Sequence, residues 1–301
     1  MDSKKIGGIW PALLTPVDKN GDPAMKELEA LVELFVKQEL DGLYILGSTG
    51  QGFLFSEKQR NEIAKRVIDV AAGRFPVIVQ VGAMNPNESI RLAKEAQKMG
   101  AYGVSTVGPI YYQAGMDKII AHYKMISSSI DIPFFAYHIG NHSIFGGSAT
   151  EYIGQMLSLP NITGMKLTTD NLYEVSLISK LSEGKLCLFS GAEELLCQAA
   201  LSGVAGNIGS YFNLWGVECK SVRTAFLNGN IDLANKFMSV FSETVFKTLP
   251  DVWSFFRKAI LMRYGIDTGI PNPPMGLLTN REWKENEILK IFDEIESAGK
   301  I

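Results

Sequence analysis

Short runs of apolar, β-branched and aromatic residues recur along this chain at 9–14, 42–47, 77–82, 103–108, 134–139, 162–168, 186–191 and 206–210. Nearly every position in each run is apolar. That is the pattern of a strand covered on both faces, not of one with a face in water. Between the runs the period lengthens. In 26–39, Leu28, Leu31, Leu34 and Phe35 fall on one helical stripe. The stretches 57–72 and 88–99 repeat that stripe, with Ser56 and Asn87 placed as starting caps. Turn clusters such as Lys19-Asn20-Gly21-Asp22 and Lys98-Met99-Gly100 separate the elements. Eight strands alternating with helices predict an α/β fold, a (β/α)8 TIM barrel over residues 1–228. A doubly wound open sheet is the structural alternative, but it would carry an early GxGxxG turn and fewer strands. Beyond residue 210 the pattern is helical only, at 217–227, 231–247, 251–264 and 281–298. The first of these can close the barrel. Residues 229–301 are expected to form a C-terminal helical extension packed beside it, as part of one structural unit.

Composition narrows the function. The chain has 301 residues, 46% of them hydrophobic, which is enough for a large core. The formal net charge is −3 and no basic stripe is present, so nucleic acid is not an expected partner. Cys187, Cys197 and Cys219 form no CxxC pair. A disulfide framework or structural zinc site is therefore not expected, and a reducing compartment fits. No apolar run approaches the roughly 20 residues of a membrane span, and Met-Asp-Ser-Lys-Lys at the start leads into no apolar signal segment. The expectation is a cytoplasmic protein that does not engage a membrane. Asp18-Lys19-Asn20-Gly21-Asp22 only faintly resembles a calcium loop, lacks the distal Glu, and reads as a turn. His138 and His142 are four apart but lack the Glu of an HExxH arrangement, so no metal site is expected.

In a barrel of this kind the strands' C-terminal ends converge on one mouth. That singles out Ser48 and Thr49 after the second strand, Tyr111 after the fourth, and Tyr137 on the fifth. It adds Lys166 on the sixth, Gly191 with Glu193 and Glu194 after the seventh, and Ser210 after the eighth. Lys166 closes an apolar run, Ile162-Thr163-Gly164-Met165-Lys166. Burial disfavours an ammonium, and a neutral amine can attack a ketone to form a Schiff base. The same residue also reads as an ordinary strand-end lysine with a buried stem and a wet head. Gly47-Ser48-Thr49-Gly50-Gln51-Gly52 offers backbone N–H groups and two hydroxyls that suit a small carboxylate. It lacks the Gly-Lys-Ser/Thr of a nucleotide P-loop. Tyr137 reads as a proton shuttle or as a core tyrosine with a satisfied hydroxyl.

Together these residues resemble the N-acetylneuraminate lyase/dihydrodipicolinate synthase family of class I aldolases. The markers are Leu13-Leu14-Thr15-Pro16, Gly47-Ser48-Thr49-Gly50, Pro109-Ile110-Tyr111-Tyr112, Tyr137, Gly164-Met165-Lys166, Ser190-Gly191 and Gly206-Asn207-Ile208-Gly209-Ser210. The resemblance implies that Lys166 captures pyruvate as a covalent Schiff base, with no external cofactor, and that Tyr137 relays protons. It implies that Ser48 and Thr49 hold the pyruvate carboxylate, with Ser48 also in the relay. Tyr111 would be the tyrosine that a neighbouring subunit inserts, in a homotetramer built as a dimer of dimers. Thr168, Gly191, Glu193, Glu194 and Ser210 match substrate-contact positions of the lyase branch, with Glu193 replacing the commoner Asp.

The chain also departs from the family. His142 stands where dihydrodipicolinate synthases usually carry Arg, His138 and Gly140 replace the usual Asn and Pro, and Gln51 replaces an acidic residue. The implied partners are a 2-oxo acid (pyruvate) and an aldehyde, with lyase-like cleavage of a sugar acid favoured. Three alternatives stay open at this point: a dihydrodipicolinate synthase-like condensation, a non-catalytic pyruvate-binding regulatory homologue, and a metal-dependent aldolase.

Overall fold

Runs that are apolar on both faces need a sheet covered on both faces. In a computed structural model, which describes residues 6–112, 115–139, 149–278 and 281–300, they form eight parallel strands. These are β1 (Gly8–Pro11), β2 (Leu43–Ile45), β3 (Val77–Gln80), β4 (Gly103–Val107), β5 (Phe134–Ile139), β6 (Ile162–Thr168), β7 (Cys187–Ser190) and β8 (Gly206–Gly209). Helices α1 (Met25–Lys37), α2 (Glu57–Ala71), α3 (Pro86–Lys98), α4 (Met116–Ser127), α5 (Ala149–Leu157), α6 (Leu172–Ser182) and α7 (Leu196–Leu201) connect successive strands. Helix α8 (Phe212–Leu227) follows β8. The strand order is β1-β8-β7-β6-β5-β4-β3-β2. A parallel bridge from Ala12 to Tyr44, with the Leu13 N–H donating to the Tyr44 carbonyl at 2.9 Å, joins the two ends. The architecture is therefore the expected TIM barrel rather than an open sheet.

Alternation along each strand divides the core in two. Trp10, Ala12, Tyr44, Ile78, Phe135, Tyr137, Phe189 and Ile208 make one buried cluster, the filling of the barrel. Their strand neighbours Ile9, Leu43, Val79, Val104, Ala136, Met165 and Leu188 belong to a second cluster, packed against the helices. Helix starts follow local chemistry. Ser56 caps α2 in a capping box with Gln59. Helix α3 begins earlier than expected: Asn85, not Asn87, is its cap, because Pro86 takes the first helical position, where a missing N–H costs nothing.

The remaining helices are α9 (Ile231–Thr248), α10 (Val252–Tyr264) and α11 (Glu285–Ala298). They meet α8 around the fully buried Trp215, whose ring lies 6.3, 6.1 and 6.2 Å from Phe241, Phe255 and Phe292. The Tyr264 hydroxyl donates to the Leu214 carbonyl at 2.8 Å, and Tyr211 and Thr248 share a hydroxyl hydrogen bond of 2.6 Å. These contacts brace the turn between β8 and α8, one wall of the barrel mouth.

Candidate active site

Register places the central pair. Tyr137 on β5 lies opposite Lys166 on β6, and Ile139 opposite Thr168. Both Tyr137 and Lys166 point into the barrel. Lys166 is 6% exposed, so its head is not in bulk water as an ordinary strand-end lysine would have it. Its Nζ sits 4.2 Å from the Tyr137 ring centroid and 4.6 Å from that of Tyr44. The two rings cross at 83° with centroids 6.0 Å apart. Aromatic faces attract a cation at these distances. The Thr168 hydroxyl donates to the Tyr137 oxygen at 3.4 Å, a long and weak bond, while the Tyr44 hydroxyl donates to Ser105 Oγ at 3.2 Å. Gly191 leaves the room this arrangement needs. A Cβ there would lie 1.9 Å from Thr168 Oγ1 and 3.0 Å from Lys166 Cε.

The loop after β2 forms the other side of the mouth. Ser48 is exposed at its tip and Thr49 is buried. Thr49 Oγ1 and Ser210 Oγ are hydrogen-bonded at 2.7 Å, which brings the turn after β2 and the end of β8 together. The turn is held by buried polar contacts. The Thr15 hydroxyl donates to the Gly50 carbonyl at 2.8 Å. Gln51 is buried, takes a left-handed backbone (φ 56°), donates to the Thr15 carbonyl at 3.1 Å and accepts the Asn272 N–H at 2.7 Å. Gln51 thus acts as a structural pin between this loop and the segment after α10. An ionised carboxylate could accept from Asn272 but could not donate to Thr15. Asn213 plays the same part across the barrel seam: its side chain donates to the carbonyls of Ala12 and Ser210, both at 2.7 Å, and accepts the Leu14 N–H at 3.2 Å.

Glu193 is 8% exposed, and one oxygen accepts the N–H groups of Ser210 at 2.8 Å and Tyr211 at 3.1 Å. Gly209 permits this approach, because a Cβ there would come within 2.6 Å of the other oxygen. Burial raises the Glu193 carboxyl to about 7; the Tyr211 N–H and, more weakly, Lys166 and the Ser210 N–H oppose the rise, and nearby Glu194 adds to it. The carboxyl therefore holds its proton more tightly folded than unfolded. Its contribution to stability is fully present below the unfolded value near 4.5, is lost as pH climbs to about 7, and is flat above that. The loss amounts to about 3 kcal/mol. Glu193→Gln is isosteric and does not titrate, so its stability relative to the parent should improve by about that amount between those pH values. Urea titrations across the range test this, and a pH-independent difference between the two proteins would refute it.

The structure brings Lys166, Tyr137, Thr168, Gly191, Thr49, Ser210 and Glu193 to one mouth. Ser48 and Glu194 stand exposed at its rim. Tyr111 is not brought in: it is 75% exposed and packs edge-on against Tyr112, at 5.2 Å. His142 and Gly140 lie outside the described residues, so that part of the expected specificity loop has no structural account. Sequence reasoning missed the roles of Tyr44, Ser105 and Asn213. Only Tyr44 carried a signal: in Leu43-Tyr44-Ile45 the middle residue faces the opposite way from its neighbours, and so inward. Among the described residues, no group of three or more His, Cys, Asp and Glu is placed to hold a metal ion. Among the same residues, no helix is long and apolar enough to cross a membrane.

Residues 5–291 match the Dihydrodipicolinate synthetase family. The chain belongs to that family. It is 31% identical over 274 residues to N-acetylneuraminate lyase of Clostridium perfringens, a match covering 89% of this chain and 93% of that protein. The fold superposes on the crystal structure of N-acetylneuraminate lyase from Mycoplasma synoviae with a TM-score of 0.84, at 26% identity and 99% coverage of both chains. It superposes on CdNal from Clostridium difficile, solved in complex with mannosamine, with a TM-score of 0.85 at 26% identity, covering 97% of this chain and 99% of that one. Membership makes this chain a class I, pyruvate-dependent aldolase, a carbon–carbon lyase of the dihydrodipicolinate synthetase family.

Proposed function

We propose that this aldolase cleaves a 2-oxo sugar acid of the N-acetylneuraminate type into pyruvate and an amino-sugar aldehyde, with Lys166 as its Schiff-base residue. The observation that carries the reading is the Lys166 amine buried at the barrel mouth between the two tyrosine rings, beside Gly191 and the turn that bears Ser48 and Thr49. Similarity to N-acetylneuraminate lyases and to a structure solved with mannosamine supports the sugar-acid class. The lyase position Ser210, adjoining Thr49, supports it too.

The Lys166 amine adds to the ketone carbon of the 2-oxo acid, whose carboxylate rests on Ser48 and Thr49. Tyr137 gives its hydroxyl proton to the departing water, which leaves a protonated imine that withdraws electrons from the adjacent bonds. The Tyr137 phenolate so formed, on whose oxygen the Thr168 hydroxyl bears, takes the proton of the C4 hydroxyl. The C3–C4 bond breaks and its electron pair moves to the imine, giving the enamine of pyruvate and a free aldehyde. Protonation at C3 and addition of water then release pyruvate and restore the amine. The lysine is itself the electron sink, so the cycle needs no external cofactor. Glu194 and Ser210 would meet the sugar hydroxyls, while Glu193 acts from behind by holding Ser210. Tyr111, exposed in the single chain, fits the role of a residue lent to a neighbouring subunit in a cytoplasmic homotetramer.

Incubation with pyruvate and borohydride, followed by intact-mass measurement and peptide mapping, tests the proposal. A reduced pyruvyl adduct on Lys166 is the expected result. Folded protein without an adduct, or an adduct on another lysine, would overturn it.

A further inference from the structure

Two tyrosine rings face the Lys166 nitrogen; the Tyr44 hydroxyl donates to a side chain inside the barrel, whereas the Tyr137 hydroxyl accepts from Thr168. Tyr44 is fully buried on β2 and donates to Ser105 Oγ on β4 at 3.2 Å. Its ring edge lies under the turn after β2: a Cβ at Gly47 would fall 2.7 Å from Tyr44 Cε1. Burial pushes the Tyr44 phenol well above its usual range, with Tyr137 adding to the rise and Ser105 and Arg60 opposing it. Tyr44 is thus a neutral donor with no role as a base, and what it presents to Lys166 is a ring face at 4.6 Å.

We propose that Tyr44 is a positioning residue whose ring face holds the positive charge that forms on the Lys166 nitrogen in the protonated imine, leaving the Tyr137 hydroxyl free to move protons. This inference rests on the Schiff-base reading above. The physical reason is the ring quadrupole, negative on its face, which attracts a cation more strongly where water is excluded. The nitrogen is neutral as it adds to the ketone, positive in the protonated imine, and neutral again in the enamine. A fixed ring at that nitrogen therefore favours the electron-drawing imine over the neutral states on either side of it. The other titratable groups that face this nitrogen or its cage are Tyr137 from β5, Glu193 from the segment after β7 and Arg60 from α2. None of them occupies the ring's place.

The test measures cyanoborohydride trapping of the pyruvate imine against pH. It uses the parent protein, Tyr44→Phe, Ser105→Ala, and the chain with pentafluorophenylalanine at position 44. The fluorinated ring is close to the size of phenylalanine but its quadrupole is reversed, and a thermal melt reports that each variant is folded. Tyr44→Phe and Ser105→Ala should trap within about two-fold of the parent, because both keep the ring. The fluorinated variant should trap about ten-fold more slowly than Tyr44→Phe, with the alkaline fall of its profile moved down by about one pH unit. Equal rates and profiles for phenylalanine and its fluorinated form would overturn the ring's role. So would a ten-fold loss in Tyr44→Phe or Ser105→Ala, which would assign the effect to the hydroxyl. An adduct on Lys166 in the parent combined with either result sinks this inference alone. No adduct in the parent sinks the Schiff-base reading, and this inference with it.

Discussion

Lys166→Ala should lower turnover of a 2-oxo sugar acid by at least about 10⁴-fold and abolish the borohydride-trapped pyruvyl adduct, with little change in melting temperature. The size follows from the chemistry assigned to one atom. Without the amine there is no imine, and without the imine the electron pair of the C3–C4 bond has nowhere to go. No second amine stands in for it: among the described residues, the Lys side chains in ion pairs lie on the surface, far more open to solvent than Lys166. The small change in stability follows from the site. Lys166 faces a cavity mouth and two rings, and truncating it removes a desolvated amine along with its packing. Steady-state kinetics, intact mass and a thermal melt on the same preparation check all three outcomes. A variant retaining more than about one part in a hundred of the activity would be incompatible with Lys166 as the covalent residue.

Gly191→Ala should cost about 10²-fold in kcat while leaving the fold in place. One methyl group is enough because of where it would sit. The added Cβ would lie 1.9 Å from Thr168 Oγ1 and 3.0 Å from Lys166 Cε. Thr168 would have to leave the Tyr137 hydroxyl, and the lysine stem would have to shift from between its two rings. A displacement of about 1 Å in a reacting group is worth that much rate. The overpacking itself should destabilise the protein by about 1–3 kcal/mol. The expected signature is a large fall in kcat and in trapping rate, with a folded protein by circular dichroism. Full activity would mean that the β7 end can move aside, and that this close approach does not shape the site.

Much of the barrel was legible along the chain because a buried parallel strand writes itself as a continuous apolar run. The runs at 134–139 and 162–168 coincide with β5 and β6, while the run at 9–14 overshoots β1, which ends at Pro11. The overshoot has a physical cause. Leu13 and Leu14 remain buried, but Leu13 pairs across the seam with Tyr44 and Leu14 with the Asn213 side chain, so burial outlasts the ladder. Helix α8 begins at Phe212, five residues before the expected 217, but it kinks at Trp215 (φ −122°, ψ 31°), so a short buried turn carrying Asn213 precedes the regular stretch. A helical stripe can be read only where one face is left polar.

Of the site, the chain alone marked the residue types that do chemistry: Lys166 closing an apolar run, Tyr137 on the strand before it, hydroxyls in a glycine-rich turn, and an acidic pair after Gly191. Those follow from local sequence, since a charged or nucleophilic group at the end of a buried strand stands out against its neighbours. Tertiary structure decided which of them meet. It put Tyr44 across from Tyr137 around one nitrogen, joined Thr49 to Ser210, and turned Glu193 onto two backbone N–H groups. It also made Gln51 a pin to Asn272, 221 residues away in the chain. None of these pairings has a sequence period. They arise because barrel closure brings the ends of strands distant in sequence to within a hydrogen bond of one another. Local pattern determined the strands, the helices and the candidate groups; strand register and barrel closure determined the distances between those groups, on which their chemistry depends.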